Sequence, residues 1–339
     1  VWLVLVLGVC SLKGGVGKTS VTLGLASAAL ERGLRTLVVD LDPQGDSTLA
    51  LATAPAEADV AAVLDSPSAE SLAAATAPSA WAEAGLDVLV GSAASSRHDA
   101  YDGQAADVDR LRFALAWVHD YDLVLVDCPP SLGGLTRTGL TACDRAVVVT
   151  EPGLFSVTAV GRAMRTIDDL RRGPAGQLQP LGVVVNRVKA RSVEQAFRLE
   201  ELRGLYGPLV LTPFVPERAA LQQAQGAAQP VHAWPGPGAR ELAGAFDELL
   251  DRALRAPRTR ARRGPDASAA RLSQPALRAA RRAASSSCAC ATGDSSSARS
   301  VGSSASVPST SRQTRPTAMP NTPWPPCTRS MTSSAEVHS

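Results

Sequence analysis

A chain of 339 residues, 45% of them hydrophobic, is long enough to bury a sizeable core as one large domain or two. Its formal net charge of +2 conceals an asymmetry: residues 257–339 hold twelve arginines against Asp266, Asp294 and Glu336, a local +9 that leaves −7 for residues 1–256. Six cysteines occur with no C-x-x-C pair and no histidine at zinc-ligand spacing, which argues against a zinc module and makes reduced, cytosolic thiols the default.

The opening apolar run, Val1 to Cys10, lacks a basic leader and reaches about half a membrane span. It reads as a buried parallel strand. With no methionine at position 1, the natural N-terminus is expected to be missing or misassigned. Ser11-Leu12-Lys13-Gly14-Gly15-Val16-Gly17-Lys18-Thr19-Ser20 follows, a glycine-rich turn that leads into a helix expected over Thr19–Arg32. Such a turn suits phosphate. Its glycines let successive N–H groups curl inward, Lys18 supplies a point charge, the Thr19 hydroxyl suits Mg²⁺, and the helix aims its positive end at the same anion. The general P-loop pattern asks for glycine where Leu12 stands, so the strict pattern fails, and Lys13 stands directly before Gly14 and Gly15. A loop that binds nothing is the alternative. Against it, the chain has only three lysines, Lys13, Lys18 and Lys189, and two of them flank this loop.

A second buried strand is expected over Arg35–Asp42, ending in Asp40 and Asp42. Residues 50–84, rich in alanine with Pro55, Pro67 and Pro78, read as short helices and loops running over the surface. A strand over Leu86–Gly91, a helix over Asp107–His119 and an apolar strand from Tyr121 to Asp127 come next. The alternation continues with strand Arg145–Thr150, helix Val157–Arg172, strand Leu181–Asn186, helix Ser192–Leu205, strand Leu209–Leu211, and helices near Ala219–Gln225 and Ala239–Leu254. Strands separated by helices imply an α/β fold, a mostly parallel doubly wound sheet with helices on both faces. Ligands in such folds sit at the carboxyl ends of the strands, so the glycine-rich turn, Asp40, Asp42 and Asp127 fall on one rim. Each acid alone also fits a turn former. Together, with four apolar residues leading into Asp127, they form a phosphoryl-transfer constellation with a Walker-B-like acid.

Beyond residue 256 the pattern stops. Residues 257–339, dominated by Arg, Ser, Ala, Thr and Pro, hold too few large apolar side chains to offset their ordering entropy and are expected to be disordered. The tail reads as an arm for nucleic acid or anionic lipid, as a solvated tail, or as an erroneous extension.

Three segments carry a family resemblance: Lys13-Gly14-Gly15-Val16-Gly17-Lys18-Thr19, Val39-Asp40-Leu41-Asp42-Pro43-Gln44-Gly45 and Asp122-Leu123-Val124-Leu125-Val126-Asp127-Cys128-Pro129-Pro130. Together they resemble the deviant-Walker-A P-loop ATPases of the ParA/MinD family, nearer to ParA in the aspartate-x-aspartate-proline-glutamine string. The resemblance runs from about Val4 to Arg255. It implies a P-loop NTPase fold, ATP and Mg²⁺ as cofactors, weak ATP hydrolysis, and an ATP-dependent homodimer. It also implies a positioning or partitioning switch for chromosome or plasmid segregation, in a bacterial cytoplasm or on its nucleoid.

Residue by residue, the resemblance implies that Gly14, Gly15, Val16, Gly17, Lys18, Thr19 and Ser20 hold the nucleotide, with Lys18 on the β- and γ-phosphates. Thr19 would ligate Mg²⁺, Asp127 would support the metal through water, and Asp40 would help order the metal shell. Asp42 would orient the attacking water. Lys13 would reach across a face-to-face dimer to the partner's ATP. Charge neutralisation and positioning then supply the catalysis, assigned to Lys13, Lys18 and Asp42. Asn186 matches the family's adenine-reading asparagine, with a strand-end turn former as its alternative, and Pro216 opens the loop that lines the base.

The sequence departs from DNA-binding members after that proline, where Glu217 and Ala220 stand at positions that are often basic; Arg218 is a substitute close by. Arg187, Lys189, Arg191 and Arg198 form either a patch for nonspecific DNA phosphates or a solvated helix face. A partition-type activator protein is an implied partner that no residue identifies. Two other readings share the fold. A MinD-like membrane ATPase would need a C-terminal amphipathic helix, and Arg240–Arg255 has the spacing in Leu242, Phe246, Leu249, Leu250 and Leu254 without a lysine-rich, aromatic lipid-facing pattern. A metal-cluster or metabolic ATPase would draw on Cys128 and Cys143.

Overall fold

The structure is a computed structural model and describes residues 4–51, 53–81, 85–100 and 108–256. The expectation of a disordered tail over 257–339, and the first residues of the opening run, lie outside the described residues. Seven strands form one sheet: β1 Leu5–Cys10, β2 Thr36–Asp40, β3 Thr76–Pro78, β4 Leu86–Leu89, β5 Leu123–Asp127, β6 Arg145–Thr150 and β7 Gln179–Val185, in the order β3-β4-β2-β5-β1-β6-β7. Every pairing is parallel except β3 with β4. The helices are α1 Lys18–Glu31, α2 Asp46–Ala50, α3 Val60–Asp65, α4 Ala69–Ala74, α5 Arg110–Leu115, α6 Gly134–Thr141, α7 Ser156–Arg172, α8 Val193–Tyr206, α9 Ala219–Gly226 and α10 Pro237–Arg255.

Side chains alternate across the sheet as a strand's period of two requires, so it carries a core on each face. Val6, Cys10, Leu37, Val39, Val124 and Val126 pack with α3, α5, α6 and α7 on one face. On the other, Leu5, Leu7, Val9, Val38, Leu123 and Leu125 pack with α1 and α10. The doubly wound α/β expectation is borne out. At the centre of the second face α1 and α10 approach so closely that a Cβ on Gly24 would lie 2.3 Å from the Phe246 ring. The registers Val9↔Asp127 and Asp40↔Asp127 bring the C-terminal ends of β1, β2 and β5 level with one another.

Two expectations change, and one helix was not expected. The described residues of 50–84 do form short helices and loops, but these are anchored in the core: α3 and α4 bury Val60, Val63, Leu64 and Leu72, and β3 adds an antiparallel edge strand. Alanine-rich composition hid the periodicity, while the local start signals, Asp59 accepting from Ala62 N and the reciprocal Ser68–Ser71 capping box, hold these short helices. Leu209–Leu211 is no strand; Gly207–Leu209 is a 3₁₀ turn, and Val210 makes an isolated parallel bridge to Val183. Pro208, with no N–H to give a ladder, sits inside that turn. Helix α6 has weak helix formers, including Gly134 and Gly139, and left little sequence signal. Gly139 is needed there, since a Cβ would come within 2.7 Å of Leu41.

Candidate functional site

β1 delivers the chain into the glycine-rich turn, and two of its glycines are required by backbone geometry: Gly15 has φ +80° and Gly17 φ +83°. A Cβ on Gly17 would also lie 2.2 Å from Asn186 Nδ2. Leu12, where the general pattern has glycine, is not among the positive-φ residues, so that departure costs the backbone nothing. Gly17 precedes α1 without a side-chain cap, so no side chain caps the first N–H groups of that helix.

Behind the turn, Asp127 gathers four side chains. Its Oδ1 lies 2.7 Å from Lys18 Nζ and accepts from the Thr22 hydroxyl at 3.3 Å. Its Oδ2 accepts from Thr19 at 2.9 Å and from Ser47 at 2.8 Å. Lys18 also reaches Asp42 Oδ2 at 3.4 Å, and all three charges are buried. Burial works against the ammonium, but Asp127 and then Asp42 outweigh it and hold the Lys18 pKa above its ordinary value. Asp42 also accepts from Gln44 N at 3.1 Å, which shapes the turn into α2.

Asp40 stands apart from this cluster. Its Oδ2 accepts from Thr48 N and from Thr48 Oγ1, each at 2.8 Å, and its Oδ1 from Asp42 N at 3.2 Å. Burial, followed by the nearby Asp127, pushes its pKa up to about 7. Asp40, expected to help order a metal shell, has its oxygens on the β2–α2 loop in this structure, while Ser47 joins Thr19 at Asp127. Ser47 and Thr22 were missed from sequence; the hydroxyl pair Ser47-Thr48 directly after Gly45-Asp46 was the available signal.

Asn186 and Arg187, just past β7, reach the outer side of the turn: Asn186 Nδ2 donates to Val16 O at 2.9 Å and Arg187 to Gly15 O at 2.6 Å. Val188 bridges in parallel to Pro216, so the asparagine and the proline-led segment lie on adjoining backbone. Ser20 Oγ faces Gln225 on α9 at 3.4 Å. Lys13, on the exposed side, forms a 2.5 Å ion pair with Glu151 at the end of β6.

The cationic surface is largely neutralised. Lys189 pairs with Glu217 at 3.1 Å, Arg198 with Glu194 and Glu201, and Arg218 donates to both Glu241 oxygens from its Nε and Nη2. Arg218, the nearby substitute for a missing base after Pro216, is paired with Glu241 in this structure. Cys10, Cys128 and Cys143 are fully buried, and burial pushes Cys10 up to about 12 and Cys128 well above its usual value. Thiols sealed in the core cannot clasp a cluster across two subunits. The apolar face of α10 is likewise occupied, with Leu242, Phe246, Leu249 and Leu250 buried in the core, and it is not free to lie on lipid. Among the described residues, no helix is long and apolar enough to cross a membrane.

The AAA_31 family model, described as an AAA domain, matches residues 4–179. The chromosome-partitioning ATPase Soj of Thermus thermophilus is 31% identical over 242 residues, covering 71% of this chain and 93% of that protein. The chain belongs to the ParA/MinD family of P-loop ATPases. Its ParA/MinD relatives include the chromosome partitioning protein ParA of Caulobacter vibrioides, 30% identical over 234 residues, 67% of this chain and 85% of that one. A cobyrinic acid a,c-diamide synthase from Mycobacterium smegmatis, crystallised with a bound ATP analogue and magnesium, superposes with a TM-score of 0.62 at 30% identity, over 75% of this chain and 95% of that structure.

Proposed function

We propose that this chain is a Mg²⁺-dependent, slowly turning ATPase that dimerises with ATP and serves as a ParA-type positioning switch for DNA. The observation that carries the reading is the convergence of Lys18, Thr19, Ser47 and Asp42 on Asp127, immediately behind the glycine-rich turn. The donor set suits the cofactors. Two hydroxyls sharing one carboxylate oxygen are hard oxygen donors, and Mg²⁺ is ordinarily held by one or two carboxylates together with substrate phosphates. Thr19 would hold the ion and Asp127 support it, and when bound it would neutralise charge on the phosphate oxygens.

Lys18 exchanges Asp127 for the β- and γ-phosphates in this reading, and Asp42 is freed to orient the attacking water by accepting a hydrogen bond from it. Gly14, Gly15, Val16, Gly17 and Ser20 line the phosphates through backbone and hydroxyl donors. Asn186 and Pro216 wall the base. Lys13 leaves Glu151 to reach the ATP of a second subunit, which makes the nucleotide part of the interface. Nonspecific DNA contact is assigned to the surface with Arg191 and Lys189, with binding weak and of shallow salt dependence because acids already neutralise Lys189 and Arg198 and leave few cations for phosphates. A cytoplasmic, nucleoid-associated location and a partition-type activator belong to the same reading.

The decisive experiment is size-exclusion chromatography of the wild type and Asp42→Ala with ATP and Mg²⁺. A dimer that persists in the slow-hydrolysis variant supports the switch; a monomer under both conditions sinks it.

A further inference from the structure

Only two non-glycine residues among those described hold a positive φ, and one of them, Arg187 at +57°, adjoins the site. A side chain with a Cβ takes up this conformation at a cost, and such residues persist where the surroundings require them. The turn is held in place by Gln195 of α8, whose Oε1 accepts from Lys189 N at 2.6 Å while its Nε2 donates to Arg187 O at 3.4 Å. Its effect is to send two successive side chains to the same loop: Asn186 to the carbonyl of Val16 and Arg187 to the carbonyl of Gly15.

A trans peptide is planar, with its C=O and N–H on opposite sides. Pinning the Gly15 carbonyl therefore points the Val16 N–H away from the clamp, and pinning the Val16 carbonyl does the same for Gly17 N–H. An anion-binding nest needs that orientation of consecutive N–H groups. Gly15 and Gly17, both in left-handed conformations, have the freedom to flip those peptides if nothing holds them. Among the described ion pairs none engages Arg187, so its guanidinium is committed to the loop.

We infer that Arg187 is a positioning residue for nucleotide binding, clamping the Gly15 carbonyl so that the loop's N–H groups face the phosphates. This rests on the reading of Gly14–Thr19 as the phosphate site. The clamp acts on the phosphate side and not on the base.

The test uses Arg187→Gly and Arg187→Lys in the full chain, with Lys18→Ala as control. Titration with a fluorescent ATP analogue, competition by inorganic tripolyphosphate and thermal melting are the readouts. Glycine accepts φ +57° without strain, so Arg187→Gly is expected to melt at or above the wild-type temperature while losing about tenfold in affinity for both ATP and tripolyphosphate. Lysine keeps a charged donor and is expected to recover binding to within about threefold. Unchanged affinity in Arg187→Gly, with binding abolished in Lys18→Ala, overturns the clamp alone. A loss confined to the ATP analogue also overturns it, by making Arg187 a base contact. No binding by the wild type overturns the phosphate reading and the clamp together.

Discussion

Lys18 Nζ and Asp127 Oδ1, 109 residues apart in the chain, meet at 2.7 Å, both buried, at the C-terminal end of β5. The two partners are not equally dependent on each other. Without Lys18, Asp127 keeps hydroxyl donors from Thr19, Thr22 and Ser47. Without Asp127, Lys18 keeps only Asp42, at 3.4 Å. Asp127→Ala is therefore expected to cost about 3–5 kcal/mol of folding stability, and Lys18→Met distinctly less. Urea denaturation of both variants checks this; equal losses would contradict the asymmetry.

The exposed Lys13–Glu151 pair is expected to matter little for stability and much for association. Surface pairs contribute about 0–1 kcal/mol, so Glu151→Gln should leave the melting temperature nearly unchanged. With its acid partner gone, Lys13 is expected to favour the ATP-dependent dimer about two- to fivefold, whereas Lys13→Ala removes that dimer. Sedimentation at fixed ATP distinguishes the two; a dimer fraction insensitive to both changes counts against a role for Lys13 between subunits.

Where α1 meets α10, helix propensity and packing give opposite expectations. Gly24→Ala improves intrinsic helix propensity, yet its Cβ would fall 2.3 Å from the Phe246 ring. Packing should win, with a loss of about 1–3 kcal/mol. Phe246→Leu in the same chain is expected to recover part of it, which a double-mutant cycle measures.

His232 provides a pH dependence. Its Nδ1 shares a 2.7 Å hydrogen bond with Ser27 Oγ, and Asp247 lies 3.6 Å from Nε2, with Glu31 and Arg32 close by. Burial is the largest influence and lowers its pKa below 6.5, against the raising effect of Asp247 and Glu31. The unfolded chain thus takes up the proton first as pH falls. The stability contribution is complete above pH 6.5 and is lost below it, by at most about 1.4 kcal/mol per pH unit. His98, also lowered by burial, acts in the same direction. Melting curves at pH 8 and 5.5 are expected to differ less for His232→Gln than for the wild type.

The repeating strands and helices, the glycine-rich turn and the acids at the ends of β2 and β5 were legible from sequence. They depend on local periodicity, backbone freedom and residue type, all of which a linear chain displays. The core anchoring of the short helices in residues 50–84, and α6 itself, were not legible, because alanine, glycine and threonine carry little periodic signal, and their placement comes from burial against the sheet.

Sequence alone therefore determined the fold class and singled out Lys18, Thr19 and Asp127, which the structure brings together. Only the tertiary structure decided how side chains are shared among partners far apart: Ser47 joining Asp127, Asp40 turning to Thr48, Lys13 resting on Glu151, and Lys189, Arg198 and Arg218 neutralised by acids. A carboxylate's chemistry depends on which donors surround it. Those donors arrive from other strands and loops, at positions fixed by folding and not by spacing along the chain.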